Sequence, residues 1–408
     1  VKKNIAIIGG GASALVLACE LDPEKFNVSL YEKNAALGRK FLVAGDGGLN
    51  FTHSEDPKEF LKRYSPPHFM EKAFYQASND SYIKWMNVLG IETFVGSSGR
   101  LFPKKGIKPI QVLDKIIEKL KHNAVTIFLK HTWKGFTENG SLLFEAPHQS
   151  IEVHADHYVF CLGGATWPVT GSDGKWTSYF LEKNIEVVNF QSSNCAFKIN
   201  WPHDLLSKIE GKSLKNCTFS CGTKFHAGEI VLTKFGIEGS GIYPLSPEIR
   251  HGLTLSGKME IQVDFKPSFS LEKIVSKLTQ NSGLKNLSTR LKLDLNLSET
   301  QIVLLKHTLS KDEFLDLTML AKHIKSFTLK LTGLAPLEEA ISSVGGISLD
   351  EIDENFELIK LKGKFVIGEM LDYDAPTGGY LLQSCFSMAK TLATHLNTVS
   401  SKTGRQNM

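Results

Sequence analysis

The first residues in this chain whose type and spacing could do chemistry are three consecutive glycines inside Asn4-Ile-Ala-Ile-Ile-Gly-Gly-Gly-Ala-Ser-Ala-Leu-Val-Leu-Ala18. Gly9, Gly11 and Ala14 fit the pattern G-x-G-x-x-[GA]. In that pattern the first glycine permits a tight turn, the second lets backbone approach a pyrophosphate, and the third small residue packs helix on strand. The chemistry implied is phosphate binding by free N–H groups at a helix N-terminus. Such a match needs a partner acid about 20 residues on. Val28-Ser-Leu-Tyr-Glu32 supplies it, with Glu32 placed for ribose hydroxyls. A cleaved secretion signal competes for the same opening, through Lys2, Lys3 and Leu17-Ala18-Cys19. Three glycines within the apolar run and Glu20 directly after it argue against that reading.

A second chemical stretch follows at Leu37-Gly-Arg-Lys-Phe-Leu-Val-Ala-Gly-Asp-Gly-Gly-Leu-Asn-Phe-Thr-His53. Glycines 38, 45, 47 and 48 would let backbone press on a flat ligand, and Arg39 and Lys40 are cations suited to phosphate. His53, close behind, is of the residue type best suited to donate a proton near neutral pH, although a structural role is the commoner fate of a histidine chosen this way. Near the other end, Lys364-Phe-Val-Ile-Gly-Glu-Met-Leu-Asp372 reads as a buried strand ending in acids. Ala375-Pro-Thr-Gly-Gly-Tyr-Leu-Leu-Gln383 then starts a helix whose positive end would face a ring. Both ends of the chain are therefore expected to build one site.

The elements that must position these residues follow from periodicity. Residues 57–89 read as helical, with Phe60, Tyr64, Phe74, Tyr82 and Trp85 assigned to packing. Pro109 opens a helix carrying Leu113, Ile116, Ile117 and Leu120 at i, i+3, i+4 and i+7. Val125–Leu129, Trp133–Phe136, Leu142–Glu145 and Ile151–Val153 alternate like a small antiparallel sheet. His157-Tyr-Val-Phe-Cys-Leu is a buried strand returning to the ligand at Gly163-Gly164. From about residue 191 short alternating segments suggest a compact β unit, and Ser270 caps a helix bearing Leu271, Ile274, Val275 and Leu278. Phe235–Gly241 reads as a loop, one that could face the ligand.

The 408 residues suggest two or three domains. With 47 basic against 43 acidic residues and no basic aromatic stripe, nucleic acid is not the expected partner; a small molecule is. Six scattered cysteines suit a reducing cytoplasm, and no metal-ligand spacing emerges: Cys217 and Cys221 lie roughly 13 Å apart at about 3.3 Å per strand residue. No apolar run is long enough to cross a membrane. Oligomeric state is not readable.

Taken together, Gly9-Gly-Gly11 with Glu32, Gly38-Arg-Lys40, Gly45 to Asn50 with Thr52, Gly163-Gly164, Gly171-Ser-Asp-Gly174, Gly368-Glu-Met-Leu-Asp372 and Thr377-Gly-Gly-Tyr380 resemble the BaiN-type bacterial flavoproteins. These are also called aminoacetone-oxidase-like or NAD(P)/FAD-dependent oxidoreductases, and the resemblance spans essentially the whole chain. Gly48-Leu49-Asn50 stands where many members have Arg-Cys-Asn, so no role for that cysteine carries over. The resemblance implies an α/β fold: a two-dinucleotide-binding-type, Rossmann-like FAD domain with a small antiparallel sheet, interrupted by an insert with a β-barrel-like part and a helical part. The expected boundaries are 1–190 and 336–408 for the FAD domain, 191–266 and 325–335 for the β-rich insert, and 267–324 for the helical insert.

It further implies non-covalent FAD and oxidoreductase activity. Gly9, Gly11, Ala12, Ser13 and Ala14 would contact pyrophosphate and Glu32 the adenosine ribose, with Lys33 among the cofactor-binding residues. The backbone near Trp133 would meet the adenine. Arg39, Lys40, Gly45, Gly47, Asn50, Gly163, Gly164 and Gly368 complete the cradle, while Glu369, Gly379, Tyr380 and Leu381 would meet ribitol and ring. NAD(P)H is the external reductant to test. A flavin-carrying RNA-binding or modifying protein and a non-catalytic flavin sensor remain as alternative classes.

Overall fold

The computed structural model describes residues 1–45, 48–280 and 286–403. The chain divides into two compact units, Val1–Gln191 with Leu337–Met408, and Ser192–Pro336.

The first unit is organised on a five-stranded sheet in the order Lys364–Val366, His157–Phe160, Lys3–Ile8, Phe26–Glu32, Thr126–Leu129. All its pairings are parallel. Parallel strands are covered on both faces, so they read as continuous apolar runs. Ile5, Ala6, Ile7 and Ile8 are accordingly all buried. The opening strand sits mid-sheet, and the chain first builds outward on one side of it, then returns to the other. Ligands bind at the carboxyl ends of strands flanking such a reversal. Here those ends are Gly9 and the segment after Phe160.

One expected pairing differs. The strand Thr126–Leu129 joins the parallel sheet beside Phe26–Glu32, and only Thr132–Phe136, Leu142–Glu145 and Ser150–Val153 form the small antiparallel sheet. Alternation reports strand character but not direction. The helix Pro109–His122, packed on Val112, Leu113, Ile116 and Leu120, is the crossover that brings the strand in parallel. The segment 57–89 is helical in pieces, and all five of its flagged aromatic residues are buried. The last helix, Tyr380–Thr403, packs along the first, Ala12–Glu20; Trp85 and Lys390 both donate to the Glu20 carboxylate, and Asn397 to its carbonyl.

The second unit holds a seven-stranded sheet whose pairings are antiparallel. Its two outermost strands, Phe327–Leu331 and Gly333–Leu334, are separated by one residue in sequence, which requires the sheet to curl barrel-like upon itself. Helices Leu271–Gln280, Leu287–Asp294, Glu299–Thr308, Lys311–Leu315 and Leu317–Lys325 form the helical part. The stretch 235–241 is not simply a loop: Gly236–Glu238 is a strand, and a Cβ on Gly236 would fall 2.0 Å from the Phe197 carbonyl oxygen. Its glycines serve strand packing. Cys217 and Cys221 lie buried on one strand, and burial pushes each thiol up to about 11. Among the described residues no helix is long and apolar enough to cross a membrane.

Candidate functional site

The glycine turn is fixed from both sides. Gly9 has φ +103°, and a Cβ there would lie 2.4 Å from the carbonyl oxygen of Cys161 on the neighbouring strand, so only glycine fits. The Gly10 amide donates to Glu32 Oε2 at 2.7 Å, while Asn34 donates its backbone and side-chain N–H to Oε1 at 2.8 and 2.6 Å. Glu32 thus ties the turn to the second strand. Gly11 caps the first helix in an extended conformation, and a Cβ there would meet no protein atom within 4 Å. No side chain caps this helix and no acid lies in its first turn, so side chains leave its first N–H groups unmet.

That open space is the floor of a cavity of about 670 Å3. Of the expected residues, Gly9, Gly11, Ala12, Ser13, Glu32, Lys33, Arg39, Lys40, Asn50, Trp133, Gly163, Gly368, Glu369, Gly379 and Leu381 line it. Two stretches 329 residues apart meet on its wall. Lys40 Nζ donates to Glu369 Oε2 at 2.9 Å and to Thr166 Oγ1 at 2.7 Å. Glu369 Oε1 accepts from the Ser343 amide at 3.2 Å. Lys40 is therefore paired with a carboxylate and is not a free phosphate ligand. Arg39 is exposed and donates to Asn34 Oδ1; Lys33 pairs with Asp173 at 3.0 Å. The Trp133 indole donates to the Gly135 carbonyl, leaving this residue's backbone along the cavity edge.

The remaining expectations are placed elsewhere. Ala14 is fully buried and packs helix on sheet. Gly45 turns away from the cavity, since its Cβ would strike Pro109 Cγ at 2.5 Å; the glycine accommodates the start of the helix Pro109–His122. Gly164 also lies behind the wall, where a Cβ would come within 1.9 Å of Ser343 Oγ and 3.2 Å of the Glu369 carboxyl carbon, so it makes room for that acid. Gly47 lies outside the described residues.

Tyr380 faces away. Its hydroxyl donates to Glu55, which also accepts from Arg63 at 3.0 and 3.2 Å, and Tyr64 Oη donates to the Tyr380 carbonyl. Burial opposes ionisation of Glu55, but the hydrogen bonds from Arg63 and Tyr380 outweigh it and hold the carboxyl below its ordinary range. Burial, then the hydrogen bond to Glu55 and its charge, push the Tyr380 phenol far up. This knot fixes the start of the last helix.

His53 is off the cavity as well. The Glu55 amide donates to Nδ1 at 3.1 Å, so Nε2 carries the proton and donates to the Ser98 carbonyl at 2.9 Å. Both nitrogens are occupied in a neutral tautomer, an arrangement that does not suit a proton shuttle. Cys385 lines the cavity, but burial pushes its thiol up to about 11, which makes it a poor nucleophile.

Sequence reasoning missed Asn34, which braces both Glu32 and Arg39, and Trp176, whose indole donates to the Gly163 carbonyl while lining the cavity. Gly171-Ser-Asp-Gly174, just before Trp176, was the available signal.

The family described as HI0933-like protein Rossmann domain matches residues 3–395. A ribosomal RNA dihydrouridine synthase of Haemophilus influenzae is 23% identical over 95% of this chain and 96% of its own length. A 3-dehydro-bile acid delta(4,6)-reductase of Clostridium scindens is 24% identical over 93% and 95%. Among solved structures, 3-ketosteroid delta1-dehydrogenase from Sterolibacterium denitrificans superposes with a TM-score of 0.51 at 10% identity, covering 98% of this chain and all of that one, a likeness of fold. With the parallel sheet, the glycine turn and the two-ended cavity in place, the chain belongs to the HI0933-like Rossmann-domain family.

Proposed function

We propose that this protein is an FAD-dependent oxidoreductase acting on a carbon–carbon double bond polarised by a carbonyl group. The observation that carries the reading is the open space over Gly11, in front of an uncapped helix, continuous with a cavity of about 670 Å3 within the usual range for cofactor clefts. The chemistry of the double bond is suggested by the relatives. A dihydrouridine synthase and a delta(4,6)-reductase both, by name, add hydrogen across such a bond.

The residues fit the cofactor. Backbone N–H groups from Gly11 to Ser13 would hold the pyrophosphate, Glu32 the adenosine ribose, and the backbone beside Trp133 the adenine. Glu369, oriented by Lys40 and Ser343, would accept from ribitol hydroxyls. Gly48 to Asn50 and Gly379 to Leu381 would bound the ring. When bound, the flavin supplies hydride transfer; the protein binds, orients and excludes water. NADH or NADPH is the proposed reductant.

A second reading, in which the double bond belongs to a uridine within RNA, is favoured by one surface. Phe94 and Val95 are exposed on the edge strand Thr93–Val95, and Lys104, Lys105 and Lys108 follow the adjoining strand. A non-catalytic flavin sensor is the third.

The deciding experiment releases cofactor by heat for chromatography, then reduces the protein anaerobically with NADH or NADPH and follows reoxidation by a cyclic enone or by unmodified ribosomal RNA. FAD release and enone reoxidation support the main reading, and RNA-only reoxidation the second. Reduction without reoxidation by either supports the sensor. Release of FMN or NAD, or failure of colourless protein to bind FAD, overturns the flavin assignment.

A further inference from the structure

We propose that Arg100 anchors an oxyanion of the substrate, a carboxylate or a phosphate, so that the substrate is an anionic molecule with a planar unsaturated body. The proposal rests on the reading of the cavity as a flavin site and extends it to the substrate.

Arg100 lies on the strand Arg100–Pro103, in the three-stranded sheet formed with Thr52–His53 and Thr93–Val95. Its side chain is half-buried. Its Nε is the nearest protein atom to a Cβ built on Gly378, at 3.3 Å, and Gly378 lines the cavity in the loop before the last helix. Yet the guanidinium makes no hydrogen bond, ion pair or ring contact with any described residue. Half-buried guanidinium groups are normally paired, because five N–H donors partly withdrawn from water are costly to leave unmet.

The neighbours explain why no described residue answers it. Directly across the sheet stands His53, neutral and with both nitrogens bonded. The acid nearest in sequence to His53, Glu55, is committed to Arg63 and Tyr380; Glu92, on the far side of the sheet, pairs with Lys104 at 2.7 Å. A planar fork that meets no acid among the described residues is suited to bidentate capture of a carboxylate or phosphate.

The same face defines the rest of the ligand. Strand alternation puts Phe102 on the side of Arg100, and Phe94 pairs with Phe102 across the sheet, their rings stacked with centroids 5.7 Å apart. Phe102 in turn adjoins a second cavity-lining glycine, since a Cβ on Gly48 would lie 3.5 Å from its ring. A cation and an aromatic surface two residues apart therefore border the two loops that bound one end of the cavity. A flat apolar body with an attached oxyanion matches both.

The test uses benzoate and phenyl phosphate as probes, with neutral benzamide as control. Calorimetry measures their binding to wild type, Arg100→Gln and Arg100→Lys, each with and without FAD, and flavin absorbance is followed in the loaded proteins. The expected result is saturable binding of at least one anion in wild type. That binding weakens about tenfold or more in Arg100→Gln, the size expected for a lost charged hydrogen bond, and less in Arg100→Lys. Benzamide should not bind. Tighter benzoate points to a small carboxylic acid, tighter phenyl phosphate to a nucleotide. If Arg100→Gln fails to fold, the Lys variant and a fall in wild-type binding with added salt carry the test. Absence of anion binding in wild type, equal binding in Arg100→Gln, or equal binding of benzamide overturns the proposal. Failure of the flavin reading shows separately, as protein that never takes up FAD, while calorimetry on the flavin-free protein still reports on Arg100.

Discussion

Two glycines two residues apart should fail in opposite ways when substituted. At Gly9 an alanine must adopt φ +103° and place its Cβ 2.4 Å from the Cys161 carbonyl oxygen. The unfavourable backbone costs about 1–2 kcal/mol and the forced displacement another 1–3, together about 2–5 kcal/mol. Against a usual domain stability of about 5–15 kcal/mol this is a severe loss, and it needs no ligand to appear. At Gly11 the backbone is already extended (φ −87°, ψ −171°), which a β-branched residue accepts, and the Cβ direction is empty of protein. Gly11→Val should therefore cost the flavin-free protein about 1 kcal/mol or less, chiefly as a poorer helix cap. What it fills is the space assigned to the pyrophosphate. Urea denaturation with and without FAD separates the two cases. At FAD a hundredfold above its Kd, wild type should gain about 2.7 kcal/mol, Gly9→Ala should start from a large deficit, and Gly11→Val should gain nothing. FAD-dependent stabilisation of Gly11→Val equal to wild type, or a flavin-free deficit equal to that of Gly9→Ala, would refute the reasoning.

Other substitutions test the walls. Glu369→Gln and Lys40→Met should each destabilise the protein, with a coupling energy of about 1–2 kcal/mol in a double-mutant cycle, since the carboxylate is largely buried and the lysine partly exposed. Gly379→Ala should lower the flavin-free unfolding free energy by about 2–4 kcal/mol, because φ is +99° and its Cβ would lie 2.6 Å from Thr52 backbone atoms; a helix-end effect on flavin potential is thus not separable from misfolding by substitution there. Glu55, held low in the folded state, stabilises above its unfolded pKa, and that contribution is lost as pH falls through the folded value. The melting temperature of Glu55→Gln should accordingly lie below wild type at neutral pH and converge with it below about pH 4.5. His53→Ala should leave the rate of flavin reduction by NADH or NADPH unchanged in stopped-flow traces, since both its ring nitrogens are bonded to backbone outside the cavity.

The parts legible in the sequence are those where backbone geometry leaves a residue signature. Gly9 and Gly11, the acid at Glu32, and the Gly368-Glu369 strand end all reach the cavity, because tight turns and close approaches admit few alternatives. Side-chain partners were not legible. Lys40 looks like a phosphate ligand in isolation, and only the fold brings Glu369 to it from 329 residues away. Gly45 and Gly164 carry the same letter as Gly11, but their neighbours are Pro109 and Ser343 rather than open space. The family resemblance groups Tyr380 with Gly379 and Leu381 at the ribitol and ring, which does not say that its ring turns toward Glu55. Strand direction at Thr126–Leu129 is likewise decided by the crossover helix and not by the alternation of its residues.

The meeting of the first and last helices has a consequence during synthesis. The strand Lys3–Ile8 and its glycine turn leave the ribosome more than 350 residues ahead of Glu369, the Gly378-Gly379 loop and the helix that follows. Until then the glycine turn has no opposite wall, and the apolar face of the first helix lacks its cover. The nascent chain must therefore carry a half-made cradle through the emergence of the whole second unit. Products halted before Gly368 should then be open to proteases and, on the flavin reading proposed above, colourless.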